Sequence, residues 1–406
     1  MTSREAALTV VKKLREAGFE AYFAGGCVRD RLLGREPGDH DVATNAIPDA
    51  VQKLFRRNVA VGKQFGVILA LVQDEEVEVA TFRADAKYTD GRHPDSVTFS
   101  DLKSDVLRRD FTINGMMEDP LTGEIVDLVG GQADLKARVI RAIGDPEKRF
   151  DEDRLRMLRA VRFAAQIDFE IEPATLAAVA RRSGEVSSVS RERVKEELGK
   201  LLASRDAGRG LRLLRETGLL APCIPALKSL PDDRWAATVA TVENLPRRPF
   251  ALALAALLCD ADPDPAKAAR LADASARDLK ASNDERERAV WLVARSRDPE
   301  RASAMRPSEW KPLLAHPGAV ELLELHRAAR TARGGSLAGH ALLSERLAAG
   351  DLDPPRLLTG DDLLAMGALR GPKIGDVLST VRAAQLDGEV TTREAAAALG
   401  RKLLAL

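Results

Sequence analysis

The stretch that decides the fold reads Gly25-Gly26-Cys27-Val28-Arg29-Asp30-Arg31-Leu32-Leu33-Gly34-Arg35, then Asp39-His40-Asp41 and Thr44. It sets a glycine pair, able to approach a phosphate closely, just ahead of two carboxylates spaced to hold a metal ion. Side chains i and i+2 of a strand share a face, so Asp39 and Asp41 are expected to reach one cation. Hard oxygen ligands suit Mg²⁺, which takes a few carboxylates together with substrate phosphates. Taken singly, Asp-x-Asp reads as a solvated loop and Gly-Gly as a turn. In combination they point to nucleotidyl transfer.

Working outward, Ala6–Ala17 has helical spacing and Glu20–Ala24 reads as a short strand ending at the glycines. Val67–Gln73 and Glu76–Phe82 read as paired strands around Asp74-Glu75, and Ile125–Asp127 as a further strand. Glu78 alternates with Val77 and Val79 and is a candidate third carboxylate, against the plainer reading of a half-exposed strand glutamate. Gly25 and Gly26 lack Cβ, so their backbone N–H groups can approach a triphosphate, and Arg29 adds a charge-assisted contact. From about residue 147 strand signals nearly vanish. Arg149–Gln166, Pro173–Arg182, Arg191–Ala203, Gly208–Thr217, Pro249–Leu258 and Glu285–Ser296 all read as helices. The fold class is therefore α+β, a mixed catalytic domain followed by a helical extension.

At 406 residues, 45% hydrophobic and 31% charged, the chain is long enough for several globular domains. Its formal net charge of +0 means that a nucleic-acid partner must be held by a local basic face. Segment 181–220, with ten basic and six acidic side chains, is one such stretch. Cys27, Cys223 and Cys259 lie far apart and form no metal-type spacing or disulfide framework. The N-terminus is charged and lacks an apolar signal core, and the longest apolar run, Phe250–Cys259, is too short to span a bilayer. A reducing cytoplasm and no membrane partner are the expectation. No motif speaks to oligomeric state.

Two further constellations carry chemistry. In Arg108-Arg109-Asp110-Phe111-Thr112-Ile113-Asn114, the paired arginines suit phosphate, while Asp110 and Asn114 can bond ribose hydroxyls. In Glu152-Asp153-Arg154-Leu155-Arg156 and the residues after it, Asp153, Arg156, Arg159 and Arg162 recur every three residues, with Leu155, Leu158 and Val161 as the buried counter-stripe. The plain alternative is a surface helix laced by i,i+3 ion pairs.

These blocks resemble the signature of the class II tRNA nucleotidyltransferase and bacterial poly(A) polymerase family, within the polymerase-β-like superfamily. The matching motifs are the Gly-Gly and Asp-x-Asp block, Arg-Arg-Asp-Phe-Thr-x-Asn at 108–114, Glu-Asp-x-x-Arg at 152–156, and Glu-Arg-x-x-x-Glu within Arg191–Leu198. The resemblance implies a nucleotidyltransferase head (1–140), a helical neck with the base-reading motif (141–208), a helical body (209–330) and a helical tail (331–406). It implies Mg²⁺ on Asp39 and Asp41, with CTP, ATP and tRNA as partners. Asp153 would accept from the exocyclic amine of cytosine or adenine while Arg156 donates to the adjacent ring nitrogen; uracil and guanine present the opposite order. Arg159 and Arg162 would sit near the phosphates. Arg191, Arg193, Gly371 and Lys373 are candidate tRNA contacts, the last two in a tail segment with Thr359–Leu364; blandly, Gly371-Pro372 is a turn and a helix cap. Phe82–Val97 resembles the flexible loop that helps CCA-adding members switch from C to A. The implied activity is building or repairing the 3′-terminal CCA of tRNA, with A-adding, CC-adding or poly(A)-forming siblings as alternatives. A non-catalytic tRNA-binding protein is the reading from a different class. Gly115 stands where the family often has alanine, a departure expected to matter little.

Overall fold

The computed structural model describes residues 1–85 and 97–404. The chain divides into two compact units, Met1–Lys228 and Ser229–Leu406.

The first unit opens with α1 (Ser3–Glu16), closed by a capping box in which Thr2 and Glu5 each accept the other's backbone N–H. Ala6, Ala7, Val10, Val11 and Leu14 recur at helical spacing and are buried. Behind them runs a mixed sheet. Its strands are β1 (Ala21–Ala24), β2 (Asp41–Thr44), β3 (Asn58–Gly62), β4 (Val67–Val72) and β5 (Glu75–Thr81). A separate pair, β6 (Arg83–Asp85) and β7 (Val97–Phe99), follows; β8 (Met117–Glu118) and β9 (Ile125–Val126) rejoin the main sheet. Among the described residues the main sheet runs β3-β4-β5-β2-β1-β8-β9. Within that sheet, among the described residues, β2 and β5 are the one parallel pair, in a register that sets Val42 opposite Val79. The β4–β5 hairpin expected from the sequence is present, with Gln73 at φ 56° in its turn. Alternation along β5 buries Val77 and Val79 and leaves Glu76 and Glu78 outward. The loop expectation for 82–97 falls largely on residues 86–96, which lie outside the described residues.

Helices α2 (Gly26–Leu32), α3 (Pro48–Leu54), α4 (Leu102–Leu107) and α5 (Gly131–Ala137) complete this α/β part. Then come α6 (Pro146–Glu152), α7 (Leu155–Ile167), α8 (Pro173–Arg182), α9 (Arg191–Ala203) and α10 (Ala207–Glu216). Leu155, Leu158 and Val161 are buried, as the counter-stripe requires. Burial of each such side chain contributes about 1.5–3 kcal/mol. Gly210 lets α10 press against its neighbours, since a Cβ there would lie 2.9 Å from Leu201 and 3.0 Å from Ala165.

Two expectations need correction. The single helix expected over 149–166 is broken, because Asp153 is extended (φ −147°, ψ 105°) between α6 and α7. Its carboxylate accepts from the Leu155 N–H at 3.1 Å, the local bond by which aspartate competes with helix continuation. Asp153 therefore stands at a corner rather than on the arginine stripe. The strand expected to carry both Asp39 and Asp41 begins only at Asp41, and Asp39 lies in the loop entering it.

The second unit is helical. Phe250–Leu258 is its most apolar helix, with Leu252 through Leu258 all buried. Pro265–Asp278 packs on Asn283–Arg295, and Asp232–Glu243 on Ala319–Ala332. Gly339 is obligatory for the helix Ala338–Ala349, because a Cβ would overlap the Pro299 carbonyl. Nearer the C-terminus, Leu358, Leu363, Val377, Val381 and Ala396 form a core of their own. No described helix is long and apolar enough to cross a membrane.

Candidate active site

His40 sits between the two aspartates but turns the other way. It is buried edge-on against Phe23 with ring centroids 5.3 Å apart, and its Nδ1 lies 3.2 Å from the Ser3 hydroxyl. Asp39 and Asp41 are left to face a cavity of about 820 Å³. The β2–β5 register brings Glu78 alongside Asp41, and both border a second, smaller hollow of about 220 Å³. Burial first, then the charges of Glu78 and Asp39, push the Asp41 carboxyl up to about 7 against the opposing pull of Arg109. Glu78 reaches solvent, yet its carboxyl is also raised, by the surrounding protein and by Asp39, with Arg109 and Arg83 opposing. Like charges held this close, with hard oxygens, fit a divalent cation. No group of three or more such ligands is gathered at metal-binding distance among the described residues. The aspartate pair would need further oxygens from elsewhere to complete a coordination shell.

The glycine turn forms the adjoining wall. Gly25 has φ +76°, a conformation side chains rarely adopt, and a Cβ there would lie 3.2 Å from Arg109 Nη1. Its own N–H donates to the Met116 carbonyl at 3.4 Å across the β1–β8 edge. Gly25 thus supplies close approach, and its amide is already engaged. Arg29 is buried rather than reaching outward. Its Nη1 donates to Asn114 Oδ1 at 2.8 Å, and its Nε and Nη2 each lie 2.8 Å from the Asp30 carboxylate.

Asp110 and Asn114 are tied into the protein. Asp110 accepts from Arg159 Nη2 at 2.6 Å and Nε at 2.8 Å, from Asn114 Nδ2 at 3.1 Å, and from the Phe111 N–H at 2.8 Å. Burial opposes ionisation of Asp110, but the charge and hydrogen bonds of Arg159 and the Asn114 amide overcome it and hold the carboxyl at about 2. Arg162 pairs with buried Glu197 at 2.5 Å. The guanidiniums of Arg29, Arg159 and Arg162 surround the Phe163 ring at 5.1, 5.3 and 4.0 Å. An aromatic face offers these like charges a shared electrostatic partner.

The far wall holds Asp153 and Arg156. Asp153 receives Arg193 end-on, Nη2 to Oδ2 at 2.7 Å and Nη1 to Oδ1 at 3.2 Å. Arg156 is buried, donating from Nη1 to Glu152 at 2.6 Å and to the Arg149 carbonyl at 3.0 Å, and from Nη2 to the Arg108 carbonyl at 2.9 Å. One cavity is lined by Gly25, Gly26, Arg29, Asp39, Asp41, Arg108, Arg109, Asp110, Asn114, Asp153, Arg156, Arg159, Arg162 and Arg193. Glu78 lies outside that lining, in the smaller hollow. Arg191 is not in it either; it clamps the carbonyls of Pro222 and Cys223 at 2.9 and 2.8 Å. In the second unit, Gly371 precedes the helix Pro372–Leu386 and Lys373 is exposed, its Nζ 3.4 Å from the Leu404 carbonyl.

Residues 21–141 match the family described as Poly A polymerase head domain, and residues 168–230 match the probable RNA and SrmB-binding site of polymerase A. The crystal structure of Bacillus stearothermophilus CCA-adding enzyme in complex with CTP superposes with a TM-score of 0.78 at 31% identity, covering 99% of this chain and 98% of that one. The chain belongs to the family of the CCA-adding enzymes and bacterial poly(A) polymerases. The CCA-adding enzymes of Levilactobacillus brevis and Bacillus subtilis are each 48% identical to it, over 222 and 214 residues. Those matches cover 54% and 52% of this chain and 55% and 54% of theirs, so by sequence the chain spans about half the length of the curated relatives it matches. Thermotoga maritima CCA-adding enzyme complexed with tRNA_CCA shares the fold, with a TM-score of 0.65 at 22% identity over 98% of this chain and 93% of that one.

Several residues of the cavity and its surroundings escaped the sequence reading. Phe163, Gln166, Lys200 and Ser204, which line the cavity, and Asp105, which lies outside the lining, belong to no quoted motif role. Their periodicity says only which of them are buried, as for Asp105 and Phe163. Gly115 has more consequence than expected. A Cβ there would lie 2.8 Å from Val129 Cγ2 and 3.0 Å from Ile143 Cδ1, so those side chains already fill the space of an alanine methyl.

Proposed function

We propose that the protein is a template-independent tRNA nucleotidyltransferase that adds or repairs the 3′-terminal CCA from CTP and ATP, releasing pyrophosphate. The observation that carries the reading is the single cavity in which the aspartate pair, the glycine turn, the arginine pair and the Asp153–Arg156 corner meet. The wider organisation proposed is a head over 1–140, a neck over 141–208, a body over 209–330 and a tail over 331–406, working in the cytoplasm without a membrane partner.

Asp39 and Asp41 would hold Mg²⁺, with Glu78 beside them. When bound, that ion supplies charge neutralisation at the triphosphate and makes a 3′-hydroxyl more acidic. The chain's own groups do the rest. Arg108 and Arg109 take the phosphates beside Gly25 and Gly26, with Arg29 holding Asn114 in place. Asp110 and Asn114 face the ribose, and Arg159 and Arg162 border the same wall. Asp153 has a lone pair left on Oδ2 after Arg193 is satisfied, enough to accept from the exocyclic amine of cytosine or adenine. Arg156 retains an Nη2 hydrogen and its Nε–H for the neighbouring ring nitrogen. Uracil or guanine would leave those charged groups unpaired, a loss of about 1–3 kcal/mol or more. Arg193, Arg191, Gly371 and Lys373 are proposed on the tRNA side, Arg193 acting also through Asp153.

The siblings are separated by substrate. The protein should be incubated with tRNA lacking CCA, lacking only the final A, or complete, with CTP and ATP singly and together. A CCA-adding enzyme completes the first. Extension of the second alone would assign A addition, and runs of A on the complete tRNA would assign poly(A) synthesis. No Mg²⁺-dependent incorporation on any of them would leave a tRNA-binding protein.

A further inference from the structure

Asp105 lies on α4 with its side chain 1% exposed, outside the cavity lining, three and four residues before the paired arginines. Its two oxygens divide between them. Oδ1 accepts from Arg108 Nη2 at 2.6 Å and Nε at 2.9 Å; Oδ2 accepts from Arg109 Nη2 at 3.0 Å and Nε at 3.3 Å. One buried carboxylate therefore fixes both guanidiniums side-on. Burial alone would favour its neutral form, and the charges of Arg109 and Arg108 lower its pKa instead. The arrangement leaves Arg109 Nη1 directed at Gly25. Through the Arg108 carbonyl it also bears on Arg156, which donates to that oxygen. Arg108 and Arg109 border both the large cavity and the hollow shared by Asp41 and Glu78.

We propose that Asp105 is a positioning residue that presets Arg108 and Arg109 for the polyphosphate of the incoming nucleotide, so that the site binds phosphate without first ordering two long side chains. Ordering such side chains on binding costs conformational entropy that a preset pair has already lost. Loss of the clamp should therefore weaken polyphosphate binding by roughly tenfold, 1.4 kcal/mol being one factor of ten. The proposal rests on the nucleotidyl-transfer reading for its substrate, but the clamp itself is a claim about anion binding.

The test separates the two. Inorganic tripolyphosphate is titrated into the purified full chain by calorimetry with Mg²⁺ present, for wild type, Asp105→Asn, Asp105→Glu, Arg109→Lys and the double variant Asp105→Asn/Arg109→Lys. The KM for CTP is measured alongside on tRNA lacking CCA. The expected result is a roughly tenfold weaker Kd and a parallel rise in CTP KM for Asp105→Asn, with partial recovery in Asp105→Glu. Once Arg109 is lysine, Asp105→Asn should cost less than it does in wild type, because only Arg108 is left to be released. Wild-type tripolyphosphate affinity in a folded Asp105→Asn protein overturns the proposal. If that variant does not fold, Asp105→Ser, which also removes the carboxylate, is titrated in its place, and wild-type tripolyphosphate affinity there likewise overturns the proposal. Absence of CTP incorporation by wild type would defeat the functional reading while leaving the calorimetric comparison to stand.

Discussion

Arg193 grips Asp153 through both oxygens, at 2.7 and 3.2 Å, from a helix 40 residues further along the chain. The carboxylate that stands at the break between α6 and α7 is thus oriented from outside its own segment. Replacing Arg193 with alanine should let Asp153 rotate. The expected outcome is a severalfold higher KM for both CTP and ATP and weaker rejection of UTP, with kcat changed less. Steady-state incorporation of each nucleotide on tRNA lacking CCA measures it, and unchanged discrimination would remove Arg193 from base reading.

Asp41 carries the clearest pH signature. Its carboxyl is raised from 3.8 to about 7 in the folded chain without a metal, burial being the first cause and Glu78 and Asp39 the next. Between those values the folded state holds a proton the unfolded chain has lost, so this group's contribution to stability falls as pH rises through the window. In EDTA, Asp41→Asn should therefore melt higher than wild type at pH 8 and equally at pH 4. Mg²⁺ should raise wild type at pH 8 and leave Asp41→Asn unmoved. Thermal melting at the two pH values decides it.

The same substitution should abolish nucleotide addition while leaving tRNA affinity nearly intact, since Asp41 faces the cavity among carboxylates and offers no cation to a phosphate backbone. Gel-shift titration beside an incorporation assay checks both halves. Retained turnover would count against the metal role.

Asp110 is buried and held at about 2 chiefly by Arg159 against the burial penalty. Arg159→Ala should strand that charge and destabilise the first unit by about 2–3 kcal/mol at neutral pH, somewhat below the cost for a fully buried pair because Arg159 is partly exposed. A depressed carboxylate contributes stability above its unfolded value and loses it as pH falls toward its folded one. The difference between wild type and variant should therefore shrink as the pH drops from about 4 toward 2. Denaturant titrations at both ends of that range measure it.

Gly115→Ala should cost about 1–2 kcal/mol, because the new methyl meets Val129 Cγ2 at 2.8 Å and Ile143 Cδ1 at 3.0 Å. Val129→Ala introduced alongside should return much of that loss. Additive losses in the double variant would show that the two sites do not share the space.

The order and spacing of side chains named the groups able to do chemistry and the apolar positions that form the core. Alternation exposed Glu78 between buried Val77 and Val79, and the three-residue spacing picked out Leu155, Leu158 and Val161 as core, although Arg156 and Arg162 of the same helix are buried as well. Such periodicity reports burial because strands and helices repeat at 2 and 3.6 residues. The partners of the charged groups came from packing. Arg29 turned inward to Asn114, Asp105 clamped two arginines, Asp153 left the helix for Arg193, and Glu197 paired with Arg162. The reason is that a charged side chain removed from water must find partners, and packing alone determines which distant segment presents them.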